Sequence, residues 1–357
     1  MNFLQIILYP VAFLYGCLLQ LRNWMFDLHI LKSRSYPVAI ISLGNLSMGG
    51  TGKTPHTEYL IRLLRERFFT AVISRGYKRE SSGFILASRR SNVKYIGDEP
   101  VQYVRKFDNV KVAVDEKRTH GIETMLEKFP GLDVILLDDA FQHRFVRAGK
   151  SILLTDYHRM YHEDHVFPSG TLREFKSGAR RADIIVVTKT PKIFSPITRR
   201  RIMDDLHPDA HQKIFFSFIK YGDLFSVNDN QPCPEPVRWS YILLFTGIAN
   251  NYPLCEYLER LCNQLEVMPF PDHYVYTADD LEKIRGKFMD LPSKKKIIVT
   301  TEKDAMRLKV QELSVLCKSL PLYYIPIGIE FHGNDKELFD KEILDYVEEN
   351  KRDRRVP

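Results

Sequence analysis

Cysteine is scarce in this chain of 357 residues, and its five cysteines follow no recognisable pattern. Because their number is odd and no C-x-x-C pair occurs, the sequence indicates neither a disulfide framework nor a zinc site. This scarcity favours a reducing compartment. Internal repeats and long low-complexity tracts are also lacking, which excludes repeat architectures and fibrous proteins.

Charged side chains are absent from residues 1–21, although 27% of the whole chain is charged. Residues 3–21 are almost entirely apolar, and as a helix they would rise about 28 Å, close to the roughly 30 Å of a hydrocarbon core. A cleaved signal peptide is disfavoured because Arg22, Lys32 and Arg34 follow the apolar stretch rather than precede it. The positive-inside rule then places the remaining chain in the cytoplasm. We predict a membrane-associated helix, with a buried or surface-docked helix as the alternative.

The chain also lacks an acidic excess: it has 52 Lys and Arg and 45 Asp and Glu, which give a formal net charge of +7. This balance suggests an anionic partner: a nucleic acid, a phosphorylated substrate or an acidic membrane. We find no nucleic-acid recognition motif and no interleaving of aromatic with basic residues, so we expect no nucleic-acid partner. With 44% hydrophobic residues, the chain has enough apolar material for folded cores.

Short apolar runs alternate along the chain with segments of helical periodicity. Several runs are continuously apolar, as in strands covered on both faces. Predicted strands occupy residues 38–43, 70–74, 110–115, 134–139, 151–156, 183–189, 241–247 and 296–300. Predicted helices occupy residues 57–68, 98–106, 119–128 and 336–350. This alternation predicts an α/β protein with a doubly wound, mostly parallel sheet.

The strongest chemical signal is a glycine-rich segment, G-N-L-S-M-G-G-T-G-K-T-P at residues 44–55, between a predicted strand and a predicted helix. Such a loop turns backbone N–H groups toward phosphate oxygens, Lys53 can reach the β/γ-phosphates, and the Thr54 hydroxyl can ligate Mg²⁺. The standard pattern would place glycine at Ser47, whereas here it occurs at 49 and 50. The predicted phosphate-binding residues are Ser47, Met48, Gly49, Gly50, Thr51, Gly52, Lys53 and Thr54.

A second acidic strand supports a nucleotide site. Residues 134–139 read V-I-L-L-D-D, the form of a Walker B strand in which Asp138 contacts Mg²⁺ directly or through water. The N-K-x-D tetrapeptide that reads guanine is absent, so ATP is favoured. A lysine at position 48 would indicate the partitioning ATPases, and Met48 stands there instead. The sequence therefore predicts a P-loop NTPase-like fold that uses ATP and Mg²⁺.

Eight motifs in order along the chain resemble those of the tetraacyldisaccharide 4′-kinase family, the lipid A 4′-kinases of Gram-negative bacteria. The motifs are G-N-L-S-M-G-G-T-G-K-T-P (44–55), I-S-R-G-Y (73–77), G-D-E-P (97–100), L-D-D-A-F-Q-H-R (137–144), G-T-L-R-E (170–174), F-T-G-I-A-N (245–250), F-P-D-H-Y (270–274) and T-T-E-K-D-A-M-R-L (300–308). The resemblance runs from the N-terminus to about residue 335. Ala140-Phe141 stands where many members carry Gly-Leu, and Thr171 where many carry Pro; neither departure changes an ionisable group.

The resemblance implies transfer of the ATP γ-phosphoryl group to the 4′-hydroxyl of a tetraacylated glucosamine disaccharide 1-phosphate. It also implies a location at the cytoplasmic face of the bacterial inner membrane, with the lipid substrate and the membrane surface as partners. In the family, the residue matching Asp98 is the proposed general base and the residue matching His273 its partner. From their chemistry, we expect Asp138 to be the first carboxylate on Mg²⁺ and Glu99 the next, while Asp139 orients groups in the site.

Four segments follow along the chain. Residues 1–34 form the apolar membrane-associating helix and its connector, residues 35–225 the P-loop kinase core, residues 226–335 a smaller second α/β domain, and residues 336–357 a C-terminal helix with a basic tail.

Several assignments have plainer alternatives. Glu99 could cap a helix, and His273 could be an ordinary surface or core histidine. The spacing of His158, His162 and His165 fits a transition metal, but a loop that tolerates histidine, or that contacts substrate, explains it as well. Candidate phosphate clamps, which could also be solvated arginines, are Arg75, Arg144, Arg173, Arg180 and Arg181.

The main alternative function is a membrane-associated P-loop ATPase that acts as a regulatory switch on a protein partner. A switch requires nucleotide-sensitive loops and a catalytic water, whereas a kinase requires an acceptor pocket with its own base. The second domain and the apolar N-terminus both favour the kinase.

Overall fold

The computed structural model describes residues 3–234, 238–248, 250–272, 274–308 and 311–354. The chain divides into two compact units, of which the first comprises Met1–Ile219 with Ile329–Pro357 and the second Lys220–Gly328. The second unit thus begins at residue 220 rather than 226, and the C-terminal helix belongs to the first unit rather than standing alone. Residues 355–357 of the predicted basic tail lie outside the described residues.

The helices and strands of the described residues alternate over most of the chain. The helices are α1 (Phe3–Asp27), α2 (Lys53–Leu64), α3 (Val93–Ile96), α4 (Asp98–Lys106), α5 (Arg118–Lys128), α6 (Pro196–Leu206), α7 (Tyr252–Glu259), α8 (Ala278–Asp290), α9 (Glu302–Leu308), α10 (Gln311–Lys318) and α11 (Asp335–Asp353). The strands are β1 (Ala39–Asn45), β2 (Thr70–Ser74), β3 (Ile85–Leu86), β4 (Lys111–Val114), β5 (Val134–Asp138), β6 (Lys150–Asp156), β7 (Ile184–Thr188), β8 (Lys213–Tyr221), β9 (Phe225–Ser226), β10 (Trp239–Thr246), β11 (Cys262–Pro269), β12 (Lys296–Thr301), β13 (Leu322–Ile325) and β14 (Ile327–Phe331).

In the part of the chain that the structure describes, the first sheet has the strand order β14-β8-β7-β6-β1-β5-β2-β4-β3. Strands β1, β2 and β4 to β8 pair in parallel, and the short β3 pairs antiparallel with β4. Side chains of β1 alternate between two cores: Ile41 packs with residues of α2 and α11, while Ile40 packs with residues of β2 and α5. The sheet is therefore covered on both faces, and the predicted doubly wound fold is confirmed.

The register between β1 and β5 brings the two nucleotide signals of the sequence together. These strands pair in parallel, with Leu43 opposite Asp138. Because parallel strands end at the same edge of a sheet, the loop after β1 and the carboxylates at the end of β5 are neighbours.

The second unit has its own smaller α/β fold. Over its described residues the strand order is β11-β10-β12-β13-β9, parallel except for β9. The buried Asp304 closes the turn from β12 into α9: it accepts hydrogen bonds from Gly247 N at 3.1 Å and Thr301 Oγ1 at 2.6 Å, and Arg307 pairs with it at 3.0 Å. The T-T-E-K-D motif therefore has a structural function in this turn.

Helix α1 packs along the first unit through one stripe of side chains. Near its start, Ser169 Oγ donates to the Gln5 carbonyl at 2.9 Å. In the middle, Gly16 lies so close to the Phe175 ring that an added Cβ would come within 2.4 Å of it, so the contact requires glycine. Near the end of the helix, Asn23 is buried. The helix is therefore docked along its length.

The opposite face of α1 is apolar and exposed. Leu14, Leu18 and Trp24 are 66%, 68% and 57% exposed. By length and composition, Gln5–Asp27 is the one helix among the described residues that could cross a membrane.

Helix α11 completes the core of the first unit, which yields a stability prediction. Ile343 on α11 is fully buried in the core that includes β1 and α2, whereas Leu338 on the same helix is 57% exposed. Replacing Ile343 with alanine removes buried methyl groups and leaves a cavity, so we expect the free energy of unfolding to fall by about 2–5 kcal/mol. Urea denaturation measures this, with Leu338→Ala as the matched control that stays within about 0.5 kcal/mol of the parent. Equal losses in both variants would contradict the assignment of α11 to this core.

Candidate active site

The glycine-rich loop connects the centre of the first sheet to the start of α2. Gly52 precedes the helix with φ of 83°, and Gly49 has φ of 115°, both in the left-handed region that favours glycine. No atom lies within 4 Å of an added Cβ at Gly49 or Gly50, so the loop there faces open space. Thr51 is buried, and its hydroxyl has no hydrogen-bond partner among the described residues. The loop therefore has the backbone shape and the open face that a phosphate group requires.

Neighbouring strands hold this loop in place. His56 Nδ1 lies 2.7 Å from the Gly52 carbonyl and its Nε2 lies 2.9 Å from Ser217 Oγ on β8. Burial lowers the pKa of His56 to about 4, so the ring is neutral: Nδ1 donates to the carbonyl and Nε2 accepts from the serine. At the end of β7, Thr188 Oγ1 donates to the Thr51 carbonyl at 3.0 Å, and the ammonium of Lys189 donates to the Gly50 carbonyl.

Asp138 is a buried carboxylate beside the loop. It accepts hydrogen bonds from Thr57 Oγ1 and Tyr103 OH, each at 3.2 Å. Burial raises its pKa to about 6, and the negative charges of Asp139 and Glu99 add to the rise. Its surroundings therefore favour an added positive charge.

Asp139 lies next to it in a contrasting environment. Arg173 pairs with both of its oxygens, at 2.9 and 3.2 Å, and Lys53 Nζ lies 3.6 Å from Oδ1. Burial acts to raise its pKa, but the positive charges of Lys53 and Arg173 outweigh burial and hold the pKa below its ordinary value. Asp139 has φ of 48°, a conformation uncommon outside glycine, which turns its side chain away from the strand. Asp139 therefore orients the two cations.

Asp98 and Glu99 are the first two residues of α4. Gly97 before them has φ of 88°, and an added Cβ there would lie 3.3 Å from Gly76, so the loop after β2 packs tightly against the start of this helix. Glu99 lies close enough to Asp138 to raise its pKa. Glu99 thus lies near the carboxylate of Asp138, and Asp98 lies at the same helix start. His273 lies outside the described residues.

Basic residues cluster beside the start of α4. The loop after β2 lines a cavity of about 460 Å³ whose charged walls are Arg75, Lys78 and Arg79 with Glu116, which pairs with Arg79. Burial, together with the positive charges of Arg118, Arg22 and Arg75, lowers the pKa of His143 to about 4. The arginines therefore create a region that attracts anions, with a neutral histidine in it.

The remaining candidate arginines lie elsewhere. Arg144 binds α1 through the Asn23 carbonyl at 2.8 Å and Asp27 at 2.5 Å. Arg180 is mostly exposed, 4.0 Å from Asp209. Arg181 pairs with Glu174 at 2.7 Å. These three are held by protein groups away from the loop, whereas Arg173 is held by Asp139 beside the loop. Arg75 and Arg173 therefore remain the candidates there.

The three loop histidines do not converge. His165 packs edge-on against Tyr9 of α1 with ring centroids 6.1 Å apart, while His158 and His162 pack against Tyr157 and Tyr161. The described residues contain no group of three or more His, Cys, Asp or Glu arranged to hold a metal ion. The transition-metal interpretation therefore gains no support.

Sequence reasoning missed Arg118 and Glu174, whereas it placed Gln142 at the site, after the acidic strand, without its contacts. Arg118 is buried and donates to the Asp138 carbonyl at 3.2 Å, and Gln142 donates to the Asn45 carbonyl at 2.9 Å. Glu174 is 3% exposed and is bound by three side chains. The motifs at 137–144 and 170–174 contain Gln142 and Glu174, but only the fold shows what they contact.

A central strand, a glycine-rich loop entering a helix, and a neighbouring strand that ends in two carboxylates together define a P-loop NTPase-like protein. Residues 4–348 match the family model described as tetraacyldisaccharide-1-P 4′-kinase. A tetraacyldisaccharide 4′-kinase of Phocaeicola vulgatus is 44% identical over 350 residues, covering 97% of this chain and 96% of the relative. That of Flavobacterium johnsoniae is 45% identical over 350 residues, covering 98% and 99%.

A solved structure is also similar. It is described as the "apo" form of LpxK from Aquifex aeolicus in complex with ATP. Its sequence is 28% identical to this chain and the TM-score is 0.73. The match covers 96% of this chain and 99% of the solved chain. The chain therefore belongs to the tetraacyldisaccharide-1-P 4′-kinase family. The predicted family, fold class and enzyme class are confirmed, and the regulatory switch is not favoured.

The opposite environments of Asp138 and Asp139 predict opposite effects of two similar substitutions. A carboxyl whose pKa is raised to about 6 in the folded state loses stability as pH rises through that value, whereas one whose pKa is lowered stabilises above its ordinary pKa. At pH 8, without nucleotide or Mg²⁺, we therefore expect Asp138→Asn to raise the free energy of unfolding by about 1–3 kcal/mol. The gain should fall to about half of this at pH 5, because Asp138 is then protonated in the folded state but still mostly ionised in the unfolded state, and it should vanish only below the ordinary aspartate pKa of about 4.

Asp139→Asn serves as the matched comparison. It leaves Lys53 and Arg173 without their carboxylate, so we expect it to destabilise the protein at pH 8. Urea denaturation of both variants at pH 8 and pH 5 measures the difference. A loss of stability in Asp138→Asn at pH 8 would contradict the assigned environment.

Proposed function

We propose that the protein transfers the γ-phosphoryl group of ATP to the 4′-hydroxyl of a tetraacylated glucosamine disaccharide 1-phosphate at the cytoplasmic face of the inner membrane. The observation that carries this proposal is the meeting of the phosphate loop, the carboxylates after β5 and the acidic start of α4 in a chain of this family. Phosphoryl transfer requires positioning, charge neutralisation and a group that orients the attacking hydroxyl, and these three elements supply them.

The loop binds the ATP phosphates. Ser47, Met48, Gly49, Gly50, Thr51 and Gly52 contribute backbone, and Lys53 contributes its ammonium. The unpartnered Thr51 hydroxyl supports this role because a buried donor without a partner is costly unless a ligand satisfies it. Asp139 holds Lys53 and Arg173 at the loop, so both cations are already in place when the nucleotide arrives.

The site also fits Mg²⁺. Asp138 is a buried carboxylate whose pKa is raised by burial and by its acidic neighbours, and a divalent cation would relieve this unfavourable charge. We propose Thr54 and Asp138 as the residues that hold the ion, with Glu99 next. When bound, Mg²⁺ neutralises charge on the β- and γ-phosphates.

Asp98 is proposed as the base for the acceptor hydroxyl. It starts α4, where the helix N-terminus favours the ionised carboxylate, and it adjoins Glu99 and the basic cavity. Because a carboxylate is a weak base toward an alcohol, Asp98 would orient the hydroxyl and accept its proton late in the reaction. His273 is proposed as its partner on the family resemblance alone.

The basic cavity suits a phosphorylated acceptor. Its charged lining consists of Arg75, Lys78 and Arg79 with Glu116, which pairs with Arg79, so the net charge is positive. Tyr77 offers an aromatic side chain against which a sugar ring can pack. We propose that the anionic headgroup of the lipid binds in this region. The 1-phosphate supplies the charge that these cations attract.

We propose that α1 lies on the membrane surface rather than crossing it. Its inner stripe contacts the first unit from Gln5 to Phe26, so a docked helix cannot leave the body to traverse lipid. Its outer face, with Leu14 and Leu18, then enters the membrane interface, as amphipathic anchoring helices do. The anchor keeps the site close to a lipid substrate.

The reaction is tested with purified protein in detergent, γ-labelled ATP, Mg²⁺ and the disaccharide 1-phosphate lipid. We expect label in the lipid with the parent protein, and a loss of kcat of about 100-fold or more in Lys53→Ala and Asp98→Asn. Asp108→Asn, at an exposed aspartate that pairs with Arg89, is the matched control and should retain activity. ATP hydrolysis without lipid labelling would contradict the proposal.

The membrane proposal is tested by placing a charge on the outer face of α1. Leu14→Asp should lower recovery with membranes by more than half, because a carboxylate disfavours the lipid interface. Val315→Asp on α10 changes an equally exposed apolar side chain, 66% in both cases, and should leave recovery unchanged. Equal recovery of the two variants would remove the role of α1 in anchoring.

A further inference from the structure

Glu174 is a buried carboxylate to which the reaction assigns no role. Its side chain is 3% exposed, and three different donors satisfy it. Asn23 Nδ2 donates to Oε2 at 2.8 Å, while Gln142 Nε2 and Arg181 Nη2 donate to Oε1 at 3.1 and 2.7 Å. A carboxylate this well buried is stable only when such donors are present.

The three donors come from different parts of the first unit. Asn23 belongs to α1, Gln142 follows β5, and Arg181 precedes β7. Gln142 Nε2 also donates to the Asn45 carbonyl at 2.9 Å. One carboxylate thereby connects the apolar helix to the first residues of the phosphate loop.

Asn45 in turn contacts the lysine of the loop. Its Oδ1 accepts from Lys53 Nζ at 3.3 Å. The backbone around Glu174 pairs with the loop as well, since Arg173 N donates to the Leu46 carbonyl at 2.7 Å and Met48 N donates to the Thr171 carbonyl at 2.7 Å. A shift of Glu174 therefore moves the loop backbone, Lys53 and the Arg173 that holds Asp139 together.

We propose that Glu174 is a positioning residue that couples the docking of α1 to the geometry of the phosphate loop. Phosphoryl transfer then runs at full rate only while α1 lies on the body and Asn23 contacts Glu174. The kinase is thus most active when its anchor is seated. The inference rests on the proposed function, because it concerns the rate of that same transfer.

The test exchanges the two side chains of the α1 contact. E174Q alone removes the negative charge that Arg181 pairs with, and N23D alone sets two carboxylates against each other. The double variant N23D/E174Q restores an amide facing a carboxylate with the same total charge. We expect each single variant to lower kcat for lipid phosphorylation about tenfold, with KM for ATP within about threefold of the parent, since small misplacements of reacting groups are costly. The double variant should recover kcat to within about threefold of the parent.

Ser177→Ala is the matched control, because it removes another hydrogen bond between α1 and the body, from Ser177 Oγ to Gln20 at 3.3 Å, outside this network. It should retain the parental kcat. Thermal melting of every variant reports folding, and N23A, which leaves Glu174 two donors, replaces E174Q if that variant does not fold.

Single variants with the parental kcat, or a double variant slower than either single one, would overturn the inference. A purely structural role predicts lower melting temperatures without a change in kcat of the folded enzyme. If the parent labels no lipid, the proposed function fails instead, so the two failures are distinguishable.

Discussion

The parallel pairing of β1 with β5 is the constraint on which the site depends. In this register Leu43 lies opposite Asp138, so the phosphate loop and the acidic strand end meet at one edge of the sheet. A slip of one residue would turn the buried side chains of β1 toward the opposite core, so packing on both faces fixes the register. The position of the chemistry is therefore set by apolar side chains that take no part in it.

Asp138, the last residue of β5, and Asp139, which follows it, lie in opposite electrostatic environments. Asp138 is buried beside other acids and is destabilised as an anion, whereas Asp139 is neutralised by Lys53 and Arg173. The two carboxylates therefore have different roles: Asp138 is suited to binding a cation, and Asp139 orients the cations of Lys53 and Arg173. The unfavourable charge on Asp138 is tolerated because its backbone lies in a well-packed strand and hydroxyls satisfy its oxygens.

Much of the first unit could be predicted from local pattern. Strand 70–74 and helix 98–106 begin and end as predicted, because apolar runs and an acidic first turn are local signals. Helix α2 begins at Lys53 rather than residue 57: Gly52 starts it, and Pro55 fits a first turn whose N–H groups need no partners within the helix. In the second unit, β11 carries exposed polar residues and has no apolar run to detect.

The residues of the site could likewise be predicted only where a local sequence pattern marks them. Lys53, Asp138 and Asp139 were accessible to sequence reasoning, because the lysine ends a glycine-rich loop and the two aspartates end an apolar run. The contact between Asn23 and Glu174 joins residues 151 positions apart, and no local pattern encodes it. Arg144 and Arg181 look like anion-binding arginines in the sequence, but long-range partners occupy them.

The first unit is discontinuous in sequence, and this affects how the chain folds during synthesis. Phe339, Ile343 and Val347 of α11 fill the core against β1, yet they are synthesised after the strands that they cover and after the whole second unit. The apolar α1 precedes those strands in the chain, so it emerges before the core that it docks on is complete. The continuous second unit, Lys220–Gly328, emerges entirely before α11. The nascent chain therefore carries an uncovered apolar face on its first sheet until α11 has emerged.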